Sequence, residues 1–249
     1  MRTTSLAPSP LIVLLVTATV VGGALAALTT GVARTGGIVL VVLGGWAVSL
    51  CLHEFGHALV AYRGGDRSVR AKGYLTLDIR RYTDPVMSLL LPLLLLLVGG
   101  IPLPGGAVWI NHNALRSRGV VSAVSLAGPL TNLALGAVLI AVISTATMPA
   151  GLAAGLSYLA LVQVLAFVLN VLPVPGLDGF GALEPFLSAQ VRGFAATVRP
   201  YAPLVLFVLI ITVPQVASGL FEATFALFDA LGGNALAAAQ GLREFMFWR

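Results

Sequence analysis

Apolar residues run through this chain in long blocks, and the polar residues between them fall in short connecting stretches. A helix crossing the hydrocarbon core of a bilayer needs about 20 mainly apolar residues. Five blocks meet or approach that length, at roughly 10 to 30, 36 to 63, 119 to 146, 151 to 172 and 201 to 221, and each predicts a transmembrane helix. A sixth, Pro85 to Ile101, is shorter, is interrupted by Pro92, and is followed by Gly99, Gly100, Pro102, Pro104, Gly105 and Gly106. Between the second block and this one, Gly73 to Arg80 alternates apolar and polar side chains over most of its length, a strand period. It predicts a small interfacial β element near 73–82, with a simple interfacial hairpin as the plainer form. The tail after Phe221 carries Glu222, Asp229, Arg243 and Glu244 and reads as an amphipathic or weakly inserted helix. The first block contains Ala24-Leu25-Ala26, a pattern found at signal-peptide cleavage sites. Its apolar run exceeds the usual 7 to 15 residues of a signal core, so a retained helix is expected.

Composition supports the same class. Of the 249 residues, 58% are hydrophobic and only 9% charged, with a mean hydropathy of +1.00. A soluble domain carries about 25% charged residues, so a water-facing globule of this size is excluded and lipid is the main solvent. The net charge of +5 is almost all arginine, with Lys72 the single lysine, and it lies in short runs between apolar blocks rather than on one face. That distribution marks topology and gives no reason to expect nucleic-acid binding. The single cysteine, Cys51, permits no intrachain disulfide. The polar stretches at 63 to 84, 102 to 118 and 174 to 200 are too short for a soluble domain. Residues 1–249 are therefore expected to form a single membrane-embedded domain of an all-α polytopic membrane protein with five to six transmembrane helices.

Inside the second block the chain reads Leu52-His53-Glu54-Phe55-Gly56-His57, an H-E-x-x-H pattern in a chain that has only three histidines. Ionisable groups at membrane depth are costly and mark functional sites. On a helix, positions i and i+4 lie about 40° apart and about 6 Å along the axis, so both imidazoles can converge on one metal ion. Glu54 sits about 100° round from His53, placed to handle the proton of a water without ligating the ion. Gly56 lets a second backbone approach closely. A catalytic zinc normally has three protein ligands. The third can come from His112, in the loop Trp109 to Asn113, or from Asp178, which follows Asn170-Val171-Leu172-Pro173-Val174-Pro175-Gly176-Leu177 at the end of an apolar block.

With H-E-x-x-H in one block and N-x-x-P-x-P-x-L-D-G after a later one, the chain resembles the site-2 protease family of intramembrane zinc metalloproteases. Ala127-Gly128-Pro129-Leu130-Thr131-Asn132 is similar to a third segment of that family, G-P-x-x-N, and the three motifs, spread between about Gly45 and Gly181, stand in the family's order. The resemblance implies one zinc ion per chain, with His53, His57 and Asp178 as ligands and Glu54 as general base. It implies that Asn132 orients the substrate or stabilises the oxyanion. Many members have a second glycine after Asp-Gly, where this chain has Phe180 and then Gly181. The implied reaction is hydrolysis of a peptide bond in or near a transmembrane segment of a membrane protein, in regulated intramembrane proteolysis. The rival is a zinc-binding transporter or sensor without hydrolytic activity, which has no need of Glu54. Some family members carry a PDZ or paired-CBS module. No polar stretch here is long enough for either, so regulation is expected from the membrane core, a regulatory membrane partner or prior trimming of the substrate. The sequence sets no oligomeric state.

A shared metal constrains topology. For His57 and Asp178 to meet, the chain must cross the bilayer an even number of times between them, so one of the three intervening blocks does not cross. Pro85 to Ile101, with its helix breakers, is the weakest span, predicting a re-entrant segment near 85–102. That arrangement puts eleven basic residues on one side and three on the other, whereas crossing gives nine and five. The positive-inside rule then predicts a cytoplasmic amino terminus and active-site end, in the plasma membrane.

Overall fold

The computed structural model describes residues 9–78, 81 and 108–248, and over them the chain is helical, with no strand. Helix α1, Pro10–Leu28, begins with Ser9 as its cap, whose hydroxyl accepts from the Ile12 N–H at 3.2 Å, and with a proline at its first position. Helix α2, Gly31–Gly64, has 34 residues and is about 50 Å long, so it outruns the roughly 30 Å hydrocarbon core. A short α3, Ser68–Ala71, follows. Helix α4, Arg118–Thr145, is capped by Ser117, and α5, Ala150–Asn170, returns beside it. Four helices, α1, α2, α4 and α5, are each long and apolar enough to cross a membrane. Their outward positions carry exposed Val13, Leu14, Val20, Leu130 and Val138, as a lipid-facing surface requires. The chain is a multi-pass membrane protein.

Helix α5 is the most enclosed of the four. Tyr158, Leu159, Val162 and Ala166 pack against Val41, Val42, Trp46 and Leu50 of α2. At the centre of this contact the Gln163 amide donates to Ser49 Oγ at 3.0 Å, and that hydroxyl donates to the Trp46 carbonyl at 2.8 Å. A buried polar pair of this kind fixes register between two otherwise greasy helices.

After α5 the chain runs through α6 (Asp178–Leu183), α7 (Ala189–Val198), α8 (Ala202–Thr212), α9 (Pro214–Ala230) and α10 (Ala235–Phe245). The continuous helix expected over 201 to 221 is divided here. Pro214 removes a helical donor and pushes the preceding residue out of the helical region, and Val213 sits at φ −115° and ψ 99°. The 11 residues of α8 are too short to cross alone; α7 and α8 are long and apolar enough for a span only together, as a pair bent by 66°. The tail after Phe221 completes α9 and forms α10, which buries Phe245 and Met246 against α2 and α5. Arg34 at the start of α2 holds it there with a two-point pair to Glu244, at 3.0 and 3.1 Å.

The β element expected near 73–82 is not formed over its described part. Gly73 takes φ 78°, Tyr74–Thr76 close a 3-10 turn, and Leu77 takes φ 54°. The turn is tied by the Thr76 N–H and hydroxyl, which both donate to the Gly73 carbonyl at 3.2 and 2.7 Å. Alternation with side chains every second residue therefore served a tight turn that buries Tyr74 against α2 and not an extended ladder. Residues 79, 80 and 82, and the segment near 85–102 expected to re-enter, lie outside the described residues.

Candidate metal centre

The two histidines lie on the final turns of α2, and His57 is seven residues short of its end at Gly64. Asp178 arrives from the far side. After Asn170 the prolines at 173 and 175 forbid continuation of α5, the Asn170 amide turns back to the Ala166 carbonyl at 3.0 Å, and the chain re-forms a helix only at Asp178. Its carboxylate meets both rings, with Oδ2 at 3.3 Å from His53 Nε2 and Oδ1 at 3.5 Å from His57 Nε2. The two Nε2 atoms are 3.1 Å apart.

The donor chemistry of this cluster tests whether it suits a cation. His57 Nδ1 lies 2.7 Å from the Val124 carbonyl and His53 Nδ1 lies 3.1 Å from Asn132 Oδ1. Each contact uses Nδ1–H as the donor when the partner is an oxygen acceptor, which leaves Nε2 of a neutral ring as a lone pair. Two such lone pairs and a carboxylate then face one another across about 3 Å, an arrangement that repels unless a positive charge lies between them. Tetrahedral zinc with bonds near 2.0 Å has ligand-to-ligand edges of about 3.3 Å, the scale of the three separations found. The residues fit zinc.

Helix α4 builds the wall behind the rings. At Gly128 an added Cβ would fall 2.5 Å from His53 Nε2 and closer still to His57 Nε2, so only a glycine leaves room for both. At Gly56 an added Cβ would meet the Ala127 carbonyl at 3.0 Å, the close helix approach expected there. Pro129 leaves the Ser125 carbonyl without its helical donor one turn away. Gly128 was not among the candidate residues read from sequence; its role depends on the packing of α4 against α2, and the motif around it was the only signal.

Glu54 is 3% exposed and its Oε2 accepts the Val108 N–H at 3.1 Å. It lines a cavity of about 290 Å³ together with His53, His57, Asp178, Ser125, Asn170 and Phe180. Phe180 thus occupies the wall where a second glycine would leave space. Asn132 is 1% exposed, supports His53 and is not among the lining residues. His112 lines the cavity from a 3-10 turn, His112–Ala114, but among the described residues the one group of potential metal ligands is His53, His57 and Asp178.

The strand of chain that reaches Glu54 is itself anchored. Asp66, 1% exposed, accepts from Asn111 N–H at 2.7 Å and from the Ser68 N–H and hydroxyl at 2.9 and 2.6 Å. Burial pushes its carboxyl up, but those three donors and the charge of Lys72 outweigh it and hold it below the ordinary range. Arg116 N–H donates to the Gly64 carbonyl at 3.1 Å, so the end of α2 and the start of α4 lie at the same end of the bundle.

The chain is 41% identical to a protein of Mycolicibacterium smegmatis provisionally named zinc metalloprotease Rip2, over 98% of this chain and 95% of that one. It is 44% identical to the Rip2 of Mycobacterium tuberculosis strain H37Rv over the same shares. A Bacillus subtilis protein provisionally named zinc metalloprotease YwhC is 32% identical over 178 residues, 66% of this chain and 77% of that one. No protein-family profile and no solved structure matches the chain.

Proposed function

Because the chain belongs to the site-2 protease family of zinc metalloproteases, we propose that it hydrolyses a peptide bond in or near a transmembrane segment of another membrane protein, using His53, His57 and Asp178 to hold one zinc ion. The convergence of those three side chains at 3.1 to 3.5 Å, beside a buried carboxylate, carries this reading. Zinc bound there supplies Lewis-acid polarisation of a carbonyl and lowers the pKa of water. Glu54 accepts the proton of the attacking water and returns it to the leaving amine. The Val108 N–H steadies its carboxylate for that exchange. Asn132, enclosed and outside the cavity wall, orients His53 through Nδ1, so the substrate-orienting or oxyanion-stabilising role that the resemblance implies acts through that ring. Val124 does for His57 what Asn132 does for His53.

On this reading residues 1–249 act as one membrane-embedded protease domain with five to six spans, and the chain crosses the bilayer an even number of times between Gly64 and Arg116. The hydrogen bond joining Arg116 to Gly64 supports this, since both ends of the intervening chain then lie at one end of the bundle. The basic excess at that end supports a cytoplasmic metal centre, and a plasma-membrane location belongs to the same reading. The test is cleavage of reconstituted single-pass proteins by the purified full-length chain. Glu54→Gln is expected to keep one zinc per chain by metal analysis and to lose cleavage by about a thousandfold or more; cleavage at the unsubstituted rate rejects the mechanism. Comparative membrane proteomics of cells carrying either form identifies the substrate as the single-pass protein that accumulates with Glu54→Gln.

A further inference from the structure

A second depression, of about 580 Å³, opens beside the metal-centre cavity. His112, Glu184 and Arg199 line both, so the two spaces share a border. The charges around the outer space are unequal. Arg199 is paired with Glu184, which cancels the one acid of the lining. The other two charged lining residues, Arg118 and Arg192, are exposed, and among the described residues neither guanidinium has an acid partner. Arg118 stands at the first turn of α4, where the helix dipole adds to its positive field rather than offsetting it. Two uncompensated positive charges thus border the outer space, which adjoins the cavity that Glu54 lines.

We propose that this vestibule receives an acidic stretch of the substrate polypeptide, flanking its transmembrane segment, and so selects substrates by the charge of that flank. The proposal rests on the protease reading. Its selectivity follows from ordinary membrane topology. On the cytoplasmic orientation proposed above, most single-pass proteins present Lys and Arg at this end of the membrane. Arg118 and Arg192 repel that common flank and attract an acidic one, whichever sequence surrounds the scissile bond. An anionic lipid headgroup shares the charge but not the position, because occupation of a space bordering the metal-centre cavity is asked of the substrate and not of a lipid.

The experiment measures binding apart from turnover. Glu54→Gln protein in phosphatidylcholine vesicles is titrated with fluorescent peptides that have a leucine-alanine core of about 20 residues and three aspartates, three asparagines or three lysines at one end, with separate probes for each end. The aspartate probe is expected to bind about tenfold more tightly than the asparagine probe, and the lysine probe more weakly than either. Adding Arg118→Gln and Arg192→Gln is expected to erase that order, and Arg118→Glu with Arg192→Glu to reverse it in favour of lysine. Reversal is an outcome that misfolding does not produce. Equal binding of the three probes, or an aspartate preference that survives the double Gln change, overturns the proposal. So does a double Gln variant whose only deficit is weaker association with phosphatidylglycerol vesicles, which assigns the site to lipid. Cleavage is scored separately with Glu54 intact: charge-ordered binding without cleavage of any membrane protein overturns the protease reading, whereas cleavage indifferent to flank charge overturns only the vestibule.

Discussion

A methyl group at position 128 has nowhere to go, because both Nε2 atoms of the candidate ligands lie where its carbon would have to sit. Gly128→Ala is therefore expected to lower zinc content from one per chain to near zero while α-helical circular dichroism is kept. Gly219→Ala, at a position with nothing within 4 Å of an added Cβ, is expected to leave zinc content unchanged. Asn132→Ala removes the acceptor that orients His53 and is expected to weaken zinc affinity about 10- to 100-fold by competition with a chelator. The histidine pair and Glu54 were legible because helical spacing alone puts them together. The third candidate was legible only through the resemblance: spacing left His112 and Asp178 both open, the family motif pointed to Asp178, and the refolding of the chain after Asn170 brings that carboxylate to 3.3 and 3.5 Å from the rings while His112 lines the cavity apart from them. Gly128 was less legible still, since the space a glycine spares belongs to a neighbour far away in sequence.

Elements were legible where length and hydrophobicity decide, as in α1, α2, α4 and α5, and misread where one or two residues decide. Pro214 splits a block that is otherwise apolar enough to span, and two left-handed residues, Gly73 and Leu77, turn an alternating sequence into a 3-10 turn. The loop carrying Val108 to Glu54 depends on Asp66 in a way that pH can probe. A carboxyl held below its ordinary value in the folded state contributes stability fully above its unfolded pKa, near pH 4, and loses it as pH falls through the lower folded value. Unfolding in detergent is therefore expected to show a loss of stability on the acid side of about pH 4 that Asp66→Asn reduces. At the opposite end, Arg34 and Glu244 clasp α10 to α2. A double-mutant cycle with Arg34→Ala and Glu244→Ala is expected to give a coupling of about 0.5 to 1 kcal/mol, modest because Arg34 is 36% exposed.

At the scale of the whole molecule, the Gly64 to Arg116 hydrogen bond sets both ends of the intervening chain on one side. Single cysteines at positions 68 and 113, introduced after Cys51→Ala, are expected to react with a membrane-impermeant reagent from the same side; labelling from opposite sides rejects re-entry near 85–102. A metal shared by two distant segments allows only an even number of crossings between them, and this labelling is the measurement that tests that expectation. The same distance has a consequence during synthesis. On the proposed ligand set, His53, Glu54 and His57 leave the ribosome well before Asp178, by on the order of ten seconds at ordinary elongation rates. A nascent chain in that interval holds a base and two imidazoles but no complete metal cage. On that ligand set the chain is expected to stay silent while its own unpacked helices, and those of neighbouring nascent proteins, are most open to being cut, and to gain its cage only once Asp178, nearly three quarters of the way along the 249 residues, has been added.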